Sequence, residues 1–197
     1  MPKSYSQFKY DDILALNLAL MRGAYFKNIL PLEASDFLKT TLQINSRMVL
    51  TSEKAKSEFI IAPVLYEIAR RNEDKISFFS GQNLDVDPAL GLRGFCDFIF
   101  SKVPASPIVN APVFCVTEAK NDNLERGTPQ CIAEMFASRL FNQKHKKNID
   151  VIYGCVTTGY QWQFLKLERQ TVFQDSTIYS LSDLPQVLGI LQFIVEH

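Results

Sequence analysis

The chain has 197 residues, enough for one domain with a sizeable core, and its formal net charge is zero. Hydrophobic residues make up 47% and charged residues 21%, with fifteen Phe and seven Tyr, the composition of a globular protein with an aromatic-rich interior. A neutral balance argues against tight, nonspecific binding to nucleic acid, so any grip on phosphates has to come from a local patch. Cys96, Cys115, Cys131 and Cys155 show no CxxC spacing and sit among apolar neighbours, as buried, reduced thiols of a cytoplasmic protein do. The opening residues, which lead into Asp11-Asp12, do not have the pattern of a signal peptide. No apolar run approaches the roughly 18 residues of a membrane span, so no membrane partner is expected.

In chain order, Asp11 and Asp12 cap an expected helix through residue 22, ended by Gly23, and a second helix is expected over residues 34–45. Thr51 or Ser52 opens a longer helix to residue 71, whose buried stripe is read as Ala55, Phe59, Ala62, Leu65 and Ala69. Residues 76–80 form a short strand with Gly81 as its turn. In the loop over residues 85–91, Asp85 and Asp87 read as turn formers rather than ligands. Two apolar strands follow, over residues 92–100 and 112–120, with a Pro-punctuated connection between them.

After a polar loop over residues 121–127, Thr128 or Pro129 begins a helix with Ile132, Ala133, Phe136, Ala137 and Leu140 buried. Residues 150–167 read as a hairpin turning at Gly159-Tyr160, with Trp162 and Phe164 toward the core. Short strands near residues 171–173 and 178–180 precede a last helix from Ser182 or Asp183. The expected fold is α/β, a central mixed β-sheet flanked by helices. It is divided into a helical lead-in (1–50), a core (51–167) and C-terminal strands and helix (168–197).

Two strands carry charge where a buried strand should not. Asp97 lies inside Phe95-Cys96-Asp97-Phe98-Ile99-Phe100, and Glu118 and Lys120 close a run of Val, Phe and Cys. An isolated buried charge costs several kcal/mol, so such groups are expected to satisfy one another or a metal ion. Alternation along a strand sends Glu118 and Lys120 to one side. Asp97, Glu118 and the Ala119 carbonyl would then form a hard-oxygen nest suited to Mg²⁺ or Mn²⁺.

The pattern Asp97…Glu118-Ala119-Lys120 resembles the PD-(D/E)xK, restriction-endonuclease-like nuclease superfamily. Cys96 stands where the signature has Pro, and Gly94-Phe95-Cys96-Asp97 fits the Gly-x-x-Asp form of divergent members. The resemblance covers residues 51–167 and implies an αβββαβ core preceded by an N-terminal helical extension. It also implies a metal-dependent nuclease acting on nucleic acid, DNA above all, with homodimerisation common in the family. By that resemblance Asp97 and Glu118 hold the metal, Lys120 assists the attacking water, and Glu58 is the helix acid joining them, with Glu53 as the second choice. Gln130 would point into the site, alongside its reading as a solvent-exposed residue at the helix start, and Glu58 and Glu53 also read as ordinary surface acids of a charged helix. The basic run Lys144, Lys146 and Lys147 is the candidate phosphate patch, alongside its reading as a solvated helix end. Two other readings stand beside the enzyme: a structural ion network, and a catalytically inactive module that binds nucleic acid or a partner protein.

Overall fold

The structure, a computed structural model, describes residues 3–197. It is an α/β protein built in three layers around one mixed sheet of eight strands. The strands are β1 (Ala19–Gly23), β2 (Ser77–Asn83), β3 (Phe95–Ser101), β4 (Val113–Ala119), β5 (Val151–Thr157), β6 (Gln161–Glu168), β7 (Thr171–Asp175) and β8 (Tyr179–Ser180). Their order is β1-β7-β6-β5-β4-β3-β2, with β8 also paired to β6. The central pair β4 and β5 runs parallel, as does β1 with β7, and the other pairings are antiparallel. Every residue of β4 is buried, which explains why its sequence reads as a continuous apolar run rather than an alternation.

The helices are α1 (Tyr10–Ala15), α2 (Asp36–Asn45), α3 (Glu53–Lys56), α4 (Ala62–Arg71), α5 (Leu124–Lys144) and α6 (Leu184–Glu196). One face of the sheet packs on α5 and the N-terminal segment, through Val113, Val116, Val156, Leu165, Ile132 and Phe136 among others. The opposite face packs on α2, α4 and α6, through Phe98, Phe114, Trp162, Phe164, Val64 and Ile190. All four cysteines are buried and free. Among the described residues no helix is long and apolar enough to cross a membrane.

Four sequence expectations are corrected. The helix expected over residues 11–22 ends at Ala15. Asn17 adopts a left-handed conformation (φ 57°), and Ala19–Gly23 becomes an edge strand on β7 instead. The lead-in is therefore not wholly helical. Gly81 is not a turn but lies within β2 at φ 63°.

The helix expected from residue 51 is interrupted by a π-helical turn, Ser57–Ile61, between α3 and α4. Pro63 has no N–H to offer the Phe59 carbonyl four residues back, and the Asn45 side chain fills that carbonyl at 2.7 Å. The extra residue in the turn rotates the buried stripe to Ile60, Ile61, Val64, Leu65 and Ile68. Finally, α5 starts at Leu124 rather than Thr128 or Pro129. Asn123 caps it, accepting the Glu125 N–H at 2.8 Å, and Pro129 lies inside it.

Helix α5 is fastened to β4 by one buried side chain. Asn142 accepts the Val113 N–H at 2.8 Å and donates to the Val113 carbonyl at 2.7 Å, completing a strand end that has no other partner there. Asn142→Ala strands both groups, and each should cost about 1–3 kcal/mol. Urea unfolding should show a loss of about 2 kcal/mol or more, and an unchanged midpoint would contradict this role.

Candidate functional site

The site lies where two strands stop pairing. The β2–β3 ladder runs on to Asn83 opposite Phe95, and the β4–β5 ladder to Ala119 opposite Thr157. Between them, the β3–β4 ladder ends at Phe98 opposite Thr117. The next position brings Asp97 beside Glu118 without main-chain pairing. Asp97 Oδ2 instead accepts the Ala119 N–H at 2.8 Å, so a side chain takes the place of the strand as acceptor.

Alternation decides which way these groups face. Ile99 and Val116 belong to the core on the α5 side, so Asp97, Glu118 and Lys120, at even spacing from them, face α5 as well. There they meet Gln130 and Glu134, one turn apart on the helix. The Lys120 ammonium is ion-paired with Glu118 Oε1 and also donates to Gln130 Oε1 at 3.4 Å. Gln130 Nε2 donates in turn to Glu134 Oε1 at 3.1 Å. The close approach depends on Gly127, because a Cβ there would lie 2.8 Å from Lys120 Cγ and 2.7 Å from Val156 Cγ1.

Glu118 is 1% exposed and Glu134 fully buried, and the Oε2 atom of each lacks a hydrogen-bond partner. Burial, and then the Asp97 carboxylate, pushes Glu118 up to about 8 against the pull of Lys120. Burial and the Glu118 charge raise Glu134 as well, so this pair of acids holds on to protons at a pH where free carboxyls have lost theirs. Burial works against the Lys120 ammonium, but the neighbouring Glu118 outweighs it and the pKa of Lys120 is raised. Lys120 stays charged.

The structure thus brings together Asp97, Glu118, Ala119, Lys120 and Gln130. Glu58, by contrast, has a side chain that is 52% exposed and paired with Lys54 at 2.8 Å. Glu53 is the helix acid whose charge reaches Lys120. The Lys144, Lys146 and Lys147 run is at the far end of α5, about 20 Å along the axis from Gln130. There the Lys144 ammonium is tied to the Val86 carbonyl. Asp85 and Asp87 act as turn formers, accepting the N–H groups of Gly94 and of Ala89 and Leu90. Glu134 was not among the expected site residues.

The donor set suits a hard cation. Asp97 and Glu118 offer carboxylate oxygens, one of them buried without a partner, beside the Ala119 carbonyl. Among the described residues no three His, Cys, Asp or Glu side chains form a ready metal cage. Asp97, Glu118 and the Ala119 carbonyl are the groups that would hold an ion such as Mg²⁺, which is commonly held by one or two carboxylates with water and phosphate completing its shell. The chain matches no protein-family model and no curated protein.

The two raised acids set a pH dependence. Their folded pKa values lie above the usual 4.5, so between about 4.5 and 8 the folded state holds more protons than the unfolded chain. Stability from this pair is complete below 4.5 and falls as pH rises through that window. Urea titrations at pH 5 and pH 8 should show the decline, and Glu134→Gln should flatten it. An equal slope in both proteins would contradict the assignment.

Proposed function

We propose that this chain is a metal-dependent nuclease, hydrolysing phosphodiester bonds in DNA, built on a restriction-endonuclease-like core. The observation that carries the reading is the convergence of Asp97, Glu118 and Lys120 at the point where β3 and β4 part. The order of elements supports it: α4, then β2, β3 and β4, then α5 and β5, follows the αβββαβ succession of that family.

Each residue has a task. Asp97 and Glu118 would hold the cation, with the Ala119 carbonyl beside them. When bound, such an ion supplies activation of water and neutralisation of phosphate charge. Lys120 is a permanent positive charge at the mouth of the site, placed to orient the attacking water and offset charge developing on the phosphate. Gln130 restrains the Lys120 ammonium from the helix side, and Glu134 fixes which end of the Gln130 amide faces it.

A second reading is favoured by one observation: Lys120 already neutralises Glu118, as it would in a closed structural network. The two readings part on cleavage. With labelled DNA and Mn²⁺, the wild-type chain should give products that EDTA suppresses. Asp97→Asn and Lys120→Ala should each lower the rate by about 100-fold or more while leaving the circular dichroism spectrum unchanged. Products that persist in both variants would remove the assignment.

A further inference from the structure

Two exposed aromatic rings lie at the end of the sheet that carries this site. Phe95, at the start of β3 and two residues before Asp97, is 71% exposed. Tyr160, in the turn between β5 and β6, is 50% exposed. Because β4 and β5 are parallel and β3 is antiparallel to β4, both rings lie at the end of the sheet that carries Lys120. Two strand spacings, about 10 Å, separate β3 from β5, with β4 and its Glu118 between them.

The Tyr160 side is held in place. The Lys56 ammonium donates to the Asn121 carbonyl at 2.6 Å and to its side-chain oxygen at 3.0 Å, and lies 6.0 Å from the centre of the Tyr160 ring. Asn121 directly follows Lys120, so a cation and an aromatic face are anchored to the site itself. On the Phe95 side there is room: a Cβ on Gly81, the β2 residue facing Asp97, would meet nothing within 4 Å.

The charge around this mouth does not suit a duplex. Near the site in sequence, the acids Glu53, Asp122 and Glu125 stand against the cations Lys56, Arg93, Lys120 and Arg126, and the chain's formal net charge is zero. A surface so balanced gains little from counterion release, the main source of grip on a double helix. Unpaired bases offer aromatic faces that stack on such rings whatever their sequence.

We infer that Phe95 and Tyr160, with Lys56, form a two-sided stacking platform that selects single-stranded or frayed nucleic acid and sets one phosphate between them at Asp97 and Lys120. The inference rests on the phosphodiester reading of this site, and binding is separable from cleavage.

The test is fluorescence anisotropy in EDTA with a labelled single-stranded oligonucleotide and the blunt duplex of the same sequence. The wild-type chain should bind the single strand more tightly, with a shallow salt dependence. Phe95→Ala and Tyr160→Ala should each weaken that binding about tenfold. Phe95→Tyr should retain it, and Phe95→Leu, apolar but without a ring, should not. Phe37→Ala, a change at an exposed ring on α2, should have no effect. Preference for the duplex, no single-strand binding, or equal binding by wild type and both alanine variants would overturn the inference. Ring-dependent binding without cleavage in Mn²⁺ would count against the catalytic reading alone and leave the platform standing.

Discussion

The arrangement depends on one hydrogen bond, from the Ala119 N–H to the Asp97 carboxylate. Had β3 and β4 continued their ladder, the Ala119 N–H would have found a main-chain acceptor, as strand amides normally do. The carboxylate takes that role, and the ladder stops one pair short of the acids. Two acidic side chains are then left adjacent with no strand pairing between them. An opposite charge has to be near, and Lys120 provides it.

Helix α5 closes the inner side of the site. It approaches β4 and β5 closely because Gly127 and Gly154 lack side chains; a Cβ on Gly154 would run into Met135 and come within 2.9 Å of Cys131 Sγ. The approach buries Glu134 against Glu118, an arrangement that costs stability unless a proton remains between the two acids. Folded proteins break the rule against buried unpaired polar groups chiefly where function requires it. Here the Oε2 atoms of Glu118 and Glu134 have no partner but a proton shared between the two acids, next to Asp97 and Lys120. By contrast, Glu67, another buried acid, has Ser35, Arg70 and Arg71 around it and no oxygen left unpartnered.

Much of the site was legible because charge inside an apolar strand is conspicuous. Asp97, Glu118 and Lys120 stand out in their segments, and period-two alternation gave their common side. The same criterion applied to helices would have found Glu134, the one acid in the run from Cys131 to Ala137. Gln130, four residues earlier, would then have pointed to a buried polar stripe. The helix acid was harder to place, because the register of residues 53–71 turns on a π-helical residue set by Pro63 and Asn45. An uninterrupted α-helix puts Glu58 beside the buried stripe; the π turn leaves it in solvent. Strand β1 was invisible locally, since its partner β7 lies some 150 residues away and residues 13–21 have helical periodicity until Asn17. The start of α5 was missed because Pro129 resembles a first-turn proline, whereas Asn123 is the actual cap.

The central claim is that the carboxylates of Asp97 and Glu118 share a cation. The most direct measurement is an anomalous-difference map from crystals of the full chain soaked in Mn²⁺. The account predicts a peak within coordination distance of both carboxylates, with Lys120 withdrawn from Glu118 to face solvent. Mn²⁺ bound only elsewhere on the chain, with the Lys120–Glu118 pair intact, would contradict it.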